Sequence, residues 1–426
     1  MLVPLLSLAA LLVAIALSVF SRLNVGLLGL GFAYALGVFG AGMKVREVSA
    51  GFPTSLLLTL LGLTLLFGHA RENGTLDRVA GFSVQLARGR PGLLPIVFFV
   101  LAVALGTVGA GNIGAVALLA PVAMKVAFEA GVPPFLMALM VACGGNAAAL
   151  SPIAPTGVIA VDLMARIGLS GVGWQNYAQC LLAHAFVGFA GYLSLGGLRL
   201  LRSRPSPEQL ARLQALLAAR RLPLELRHGL TLGVILLLLI TVACFRVDVG
   251  VLALGGALLL TVLRAAEEEK VIHDLPWSTI LMVCGMTTLM SILEKTGGID
   301  LFTQVLVRLS TPRTAPAVMG LCTGVLSAYS SSSGVVLPAF LPIIPGLLGK
   351  LGGGDKLALA NSVNIGAHLV DVSPLSTLGA LCLANIARGE DAGRLYRQLL
   401  IWGLSMALVG AVYCHVVFGV IGLGSR

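Results

Sequence analysis

Four short stretches of this 426-residue chain put helix-breaking residues beside residues that can ligate an ion, each inside an otherwise apolar run. Two are compact: Gly109-Ala-Gly-Asn-Ile-Gly114 and Ser330-Ser-Ser-Ser-Gly334. Two are longer: Gly144 to Gly157, carrying Gly145, Asn146, Ser151, Pro152, Pro155 and Thr156, and Gly366 to Gly379, carrying His368, Asp371, Ser373, Pro374, Ser376 and Thr377. Proline removes a backbone donor and blocks the helix, while glycine lets backbone approach a ligand closely. Where a helix is interrupted, a free N-terminus aims N–H groups at an anion, and freed carbonyls and hydroxyls suit a cation. The chemistry expected is joint binding of an anion and a cation such as Na+. The nearest basic residues by sequence, Lys125, Arg166, Lys350 and Lys356, lie toward hairpin or helix ends. A bound dianion would therefore be neutralised mostly by helix dipoles, hydroxyls and sodium.

Several polar residues in these runs admit a structural and a functional reading. Asn146 can hydrogen-bond a neighbouring helix or hold an ion, and His368 can be a satisfied core histidine or a ligand. Asp371 stands two residues before Ser373-Pro374, and a carboxylate inside a membrane segment is a candidate for coupling to Na+ or to H+. Asp162 has no counterpart in the second half, where position 384 is alanine. Asp77 and Asp300 open amphipathic stretches, where capping is the expected role.

The elements that must carry these residues follow from composition. Hydrophobic residues make up 58% of the chain, charged residues 11%, and the mean hydropathy is +0.99. Soluble proteins average about 45–50% apolar and about 25% charged residues. The chain reads as an integral membrane protein, which excludes soluble enzymes, nucleic-acid binders and secreted disulfide scaffolds. The net charge of +10 is read as a topology signal rather than as affinity for nucleic acid. The seven cysteines show no CxxC spacing and are expected to pack in the core. Leu2–Phe20 lacks the basic start and small-residue cleavage site of a signal peptide and reads as a retained helix.

Comparing the chain with itself gives two halves. Arg22–Ala33 matches Arg246–Ala257 at seven of twelve positions; Pro53, Gly74 and Asp77 recur as Pro276, Gly297 and Asp300; Gly144, Ser151-Pro152 and Gly157 recur as Gly366, Ser373-Pro374 and Gly379. The offset stays between 221 and 224 throughout. Residues 1–200 form the first repeat and 229–426 the second, joined by a basic linker (201–228) whose arginines place it in the cytoplasm. A short helix with Leu210, Leu213, Leu216 and Leu217 on one face suits either anionic lipid or a solvated linker.

Each half is expected to cross the membrane five times: 2–20, 25–42, 54–70, a broken segment at 133–168 and 178–198, then 229–245, 249–264, 277–293, a broken segment at 356–387 and 399–421. An amphipathic stretch with Phe302, Val305, Leu306 and Leu309 lies at the interface. Apolar arms at 92–129 and 315–349 are joined by almost uncharged glycine or serine tips and read as re-entrant hairpins ending inside the membrane. An odd number of crossings per half inverts one half against the other, the plan of secondary transporters.

Gly111-Asn112-Ile113 with Pro121 downstream resembles the hairpin-tip signature of the divalent anion/sodium symporters of the ion transporter superfamily. Ser332-Ser333-Gly334, the same distance before Pro342, is similar to its second copy. Asn24-Val-Gly-Leu-Leu, Gly51-Phe-Pro-Thr-Ser-Leu and Asn73-Gly-Thr-Leu resemble the MatC-type dicarboxylate (malonate) carriers over roughly the first 150 residues. The resemblance implies an all-α polytopic homodimer of the bacterial inner membrane, whose transport domain moves past a scaffold in an elevator motion. It implies one dicarboxylate flanked by two sodium sites, with Asn112 serving both. The substrate set would be Gly111, Asn112, Ile113, Ser151, Pro155, Thr156, Ser332, Ser333, Gly334, Ser373, Pro374, Ser376 and Thr377. The cation set would be Thr107, Gly111, Asn112, Gly145, Asn146, Ser331, Ser333, His368 and Asp371. Gly111, Ile113, Ser333 and Gly334 depart from the Ser-Asn-Thr pattern and remove side-chain ligands, which Thr156, Ser376 and Thr377 could replace. No cofactor is expected beyond Na+, or H+, as coupling ion. The rivals are an arsenite-type exporter or Na+/H+ antiporter of the same superfamily, and a membrane-embedded enzyme, for which no HExxH-like histidine cluster is present.

Overall fold

The computed structural model describes residues 2–20, 23–75, 90–203, 225–245, 247, 249–387 and 389–423. Asp77 with its amphipathic stretch, the linker leucines, and Arg22, Arg246 and Asp248 of the repeated motif fall outside the described residues, as does the side chain of Cys244.

Among the described residues there is no strand. The longer helices, numbered here in chain order, are α1 (Leu2–Phe20), α2 (Val25–Tyr34), α3 (Thr54–Glu72), α4 (Leu93–Leu105), α5 (Gly111–Ala130), α6 (Pro134–Ala148), α7 (Pro155–Arg166), α8 (Gly173–Ser194), α9 (Leu226–Phe245), α10 (Val249–Val262), α11 (Trp277–Thr296), α12 (Gly298–Leu309), α13 (Ala315–Ser327), α14 (Ile344–Leu351), α15 (Lys356–Leu369), α16 (Thr377–Ala384) and α17 (Ala392–Cys414). Among these residues six helical segments are long and apolar enough to span a bilayer: 54–72, 93–130, 277–296, 332–351, 356–384 and 392–420. The other apolar helices, including 2–17, 25–40 and 249–262, are shorter. Two of the six segments are not single rods. Residues 93–130 reverse at Gly109, and 356–384 break at 370–376.

Helix ends follow local chemistry. The Asn24 side chain accepts from the Gly26 N–H (2.8 Å), Asp355 from Ala358 (2.6 Å) and Asp391 from Arg394 (2.9 Å), satisfying donors that a helix start leaves unpaired. Asn24 also donates to the Ser278 carbonyl (2.9 Å), tying the start of α2 to α11.

Two close crossings hold the frame, each joining one half to the other. A Cβ on Gly29 of α2 would sit 2.9 Å from the Gly285 carbonyl oxygen of α11, and one on Gly62 of α3 would sit 2.9 Å from the Gly250 carbonyl oxygen of α10. Gly26, on the same face of α2, meets Leu281 backbone so closely that any side chain there collides. Small residues allow this approach, and in lipid such packing replaces a hydrophobic driving force. The repeat offset aligns Gly26 with Gly250 and Gly62 with Gly285, so the two crossings join equivalent pairs of positions.

Inside this frame the first members of the broken helices are the most deeply buried elements. Every residue of α6 from Phe135 and of α15 from Leu357 is buried. Helix α6 is apolar almost all round, whereas α15 buries Asn361, Ser362, Asn364 and His368, of which Ser362 and His368 bond to backbone carbonyls one turn back and Asn364 to Asn176. On amphipathic α12, Leu306 is buried and Phe302 packs edge-on against Phe340 at 5.4 Å between ring centroids. Val305 and Leu309 are exposed, because the hydrophobic sector of the helix is wider than its contact with the protein. Of the six described cysteines, five are buried and Cys322 is half-buried, all as free thiols.

Candidate functional site

The first tip is shaped by glycine. A wide π-helical turn (Gly106–Ala110) follows α4, and the chain reverses through Gly109 (φ +120°) and Gly111 (φ +70°) before α5 begins. Both angles are costly for a residue with a Cβ. A side chain on Gly109 would also enter the ring of Phe67 on α3, so the tip is fitted against that helix.

Asn112 opens α5, where backbone N–H groups have no intrahelical acceptor. Its amide donates to Asn146 Oδ1 (3.2 Å), and Asn146 Nδ2 donates to the His368 carbonyl (3.0 Å). One hydrogen-bonded chain therefore joins the first tip, the first break and the second broken helix. All three residues are buried.

Around the first break, Ser151 Oγ donates to the Thr107 carbonyl (2.7 Å), and Thr107 Oγ1 shares a 2.7 Å hydrogen bond with the Tyr177 hydroxyl on α8. Pro155 starts α7 and lies against Gly111, with Thr156 beside it. A Cβ on Gly145 would sit 2.5 Å from Val116 Cγ2 and 3.3 Å from the Asn112 carbonyl oxygen, so glycine there lets α6 pack against the tip.

The second tip is built from hydroxyls. Ser331 Oγ accepts from the Gly334 N–H (3.0 Å) and caps the returning arm. Ser332 Oγ donates to Asp371 Oδ2 (2.7 Å) and lies 2.7 Å from Ser327 Oγ. Ser376 Oγ donates to the Asp371 carbonyl, and Ser373 Oγ accepts from the Leu375 N–H (3.2 Å). Asp371 thus faces the second tip from behind, held by hydroxyl donors and paired with no cation among the described residues.

A cavity of about 790 Å³ lies between these elements. Of the residues singled out in the sequence, Gly111, Asn112, Ile113, Pro155, Thr156, Ser333 and Thr377 line it. Thr107, Gly145, Asn146, Ser151, Ser331, Ser332, Gly334, His368, Asp371, Ser373, Pro374 and Ser376 stand around it without lining it. His368 meets the network through its carbonyl. Its ring Nδ1 pairs with the Asn364 carbonyl (2.7 Å), and Nε2 is buried without a partner among the described residues.

Sequence reasoning did not single out the far wall, formed by Thr64, Phe67, Gly68 and Arg71 of α3 with Lys270, Asp274 and Thr279 before and within α11. Their spacing on α3 was the available signal, but Arg71 reads there as an ordinary basic helix end. Lys270 Nζ pairs with Glu267 and lies 3.9 Å from Glu72 Oε1. The hydrogen bond to Glu267 is the main influence that raises its pKa above the ordinary lysine value. Arg71 makes no ion pair among the described residues. This end of the cavity lies beside the start of α9, where the chain leaves the linker: Asn73, two residues past Arg71, accepts at its carbonyl from His228 Nε2 (3.0 Å) and donates to Thr231 (2.8 Å).

Six helical segments of bilayer length among the described residues, with irregular backbone gathered round a cavity, are the architecture of a multi-pass membrane protein. The profile described as "Dicarboxylate carrier protein MatC N-terminus" matches residues 1–149 and 227–369, and the chain belongs to that family. The match reaches well beyond the opening 150 residues that carry the motif-level resemblance. An uncharacterized transporter of Mycobacterium tuberculosis is 25% identical over 381 residues, 86% of each chain, and a second from that organism is 23% identical over 354 residues, covering 79% of this chain and 80% of its own. In fold the chain is similar to the YdaH transporter of Alcanivorax borkumensis (TM-score 0.55, 16% identity, 89% of this chain and 88% of that one). It is likewise similar to MtrF of Neisseria gonorrhoeae, described as one of a class of antimetabolite efflux pumps (TM-score 0.56, 12% identity, 91% and 84%).

Proposed function

We propose that the protein is a secondary transporter that carries a small dicarboxylate, malonate or a four-carbon acid, in symport with Na+. The observation that carries this reading is the hydrogen-bonded chain from Asn112 through Asn146 to the His368 carbonyl, at the inner end of a cavity that Ser333, Thr156 and Thr377 also line. One carboxylate is received by the free N–H groups at the start of α5 with the Asn112 amide, and the other by the hydroxyls of Thr156, Ser333 and Thr377. Sodium is held on the oxygen-rich side, by Asn112 and Asn146 at the first break and by Asp371 with Ser332 at the second, since a hard cation prefers oxygen ligands. The buried Asp371 carboxylate adds a negative charge to that of the dianion, and cation binding offsets both. Family membership supports the dicarboxylate class.

In this reading residues 1–200 and 229–426 are inverted repeats. The tips and breaks belong to a transport domain that moves past a scaffold containing α2, α3, α10 and α11, in a homodimer of the bacterial inner membrane. The paired crossings Gly26–Gly285 and Gly62–Gly250 support the repeat relation. The test is uptake of labelled malonate and succinate into proteoliposomes with Na+ and H+ gradients imposed separately. The expected result is accumulation driven by inward Na+. Accumulation driven only by H+, or of neither acid, overturns the respective part of the reading.

A further inference from the structure

The tips and breaks that form the inner end of the cavity carry no lysine or arginine, yet two cations line its outer end, Arg71 and Lys270. They are not equivalent. Lys270 is engaged by Glu267 and lies near Glu72, whose carboxylate also accepts from the Glu267 N–H (3.3 Å). Asp274, the other acid on the wall, lies 3.1 Å from His273 Nδ1. Arg71 is exposed and makes no ion pair among the described residues. It stands one helical turn past Phe67, the ring that packs on the first tip, so its side chain reaches the same cavity about 6 Å further along the α3 axis. Gly68 between them admits Val271, which brings the α10–α11 connection close enough to wall the entrance.

The repeat supplies an independent observation. The offset of 223 that aligns Gly74 with Gly297 aligns Arg71 with Glu294 and Glu72 with Lys295. At the end of α11 the sequence therefore has an acid where α3 has Arg71, and its lysine is turned away, donating to the Glu47 carbonyl (2.9 Å). Glu47 sits on the chain between α2 and α3, at the opposite end of α3 from Arg71. Among the described residues, only the linker-side end carries at this position a cation without an ion-pair partner. In a cleft with low-dielectric walls, one such charge focuses the field and raises the local concentration of anions.

We propose that Arg71 is an anion-capture residue of the linker-side mouth, drawing the substrate carboxylate toward the first tip from that face only. The inference rests on the anionic substrate proposed above. Arg71 holds no place at the inner end of the site; it acts on the approach to it, and so affects KM from one side while leaving the turnover step untouched.

The experiment measures initial rates of labelled malonate and succinate uptake in membrane vesicles of both orientations, with orientation assigned by protease cleavage of the arginine-rich linker. Arg71→Gln is expected to raise KM about three- to tenfold where substrate meets the linker-side mouth, at an ionic strength of about 20 mM. The rise should disappear at about 0.5 M salt, where screening acts within a few ångströms. Arg71→Glu should raise KM further, Arg71→Lys should restore it, and KM from the opposite face should stay at the wild-type value in all three. An unchanged linker-side KM in Arg71→Gln, an equal change on both faces, or a change in maximal rate alone overturns the inference while leaving the proposed function intact. A wild-type protein that moves neither acid in either orientation overturns both.

Discussion

The two hairpin tips occupy corresponding places in the two halves and are built on different chemistry. The first is a rigid glycine turn, fixed by positive φ at Gly109 and Gly111 and fitted against Phe67, which presents one amide, Asn112, to the cavity. The second is a run of four serines that divide the work: Ser331 caps, Ser332 turns inward to Asp371, and Ser333 faces the cavity. A tip that offers a single amide needs a fixed backbone to aim it, whereas a tip of short hydroxyls can lend one of them to a carboxylate behind it. Asp371 thereby supplies at the second break the negative oxygen that the second tip itself lacks.

If that contrast is right, substitutions at the two tips should differ in size and in kind. The largest effect is expected from Asn112→Ala, which removes the cavity-facing amide and leaves Asn146 Oδ1 buried without its donor. Uptake should fall by about 100-fold, in line with the cost of an unpaired buried polar group plus a lost ligand, while the purified protein keeps its size-exclusion profile. Sodium-dependent uptake at the wild-type rate in this variant would remove the first tip from the site.

Asp371→Asn should be milder and specific to the cation. A neutral amide oxygen still ligates Na+, so the sodium concentration for half-maximal uptake should rise about tenfold with little change in maximal rate. Loss of dependence on a pH gradient instead would assign the carboxylate to proton coupling.

The smallest change is expected from Ser332→Ala, which deletes one hydrogen bond to Asp371 and leaves the carboxylate in place. At about 1 kcal/mol for such a bond, the half-saturating sodium concentration should shift about fivefold, and not additively with Asp371→Asn because the two groups share one interaction. Additive shifts would show that Ser332 acts elsewhere.

Much of this arrangement was legible in the sequence because breaking a helix inside an apolar run demands residues with no other reason to be there. Gly109, Gly111, Pro155 and Pro374 marked irregular backbone, and irregular backbone converges on the cavity. Other parts left no such trace. The His368 contribution comes from its carbonyl, a group every residue carries, and Asn146 finds it only because α6 and α15 meet. A run of serines says nothing about which hydroxyl faces which side, so Ser332 and Ser333 could be told apart only by the hairpin's twist. The α3 wall was hidden for the opposite reason: Thr64 and Phe67 are ordinary residues within a membrane helix and Arg71 at the end of one, and they line the cavity only because the tip packs against α3.

The central claim, that the first tip and the two breaks form one site for an anion and a cation together, is tested most directly by equilibrium binding of labelled dicarboxylate to the purified protein. The expected result is saturable binding of malonate or succinate that requires Na+, is not restored by choline at equal ionic strength, and is absent in Asn112→Ala. Binding of equal affinity with Na+ wholly replaced by choline, or binding that survives Asn112→Ala unchanged, would contradict the account.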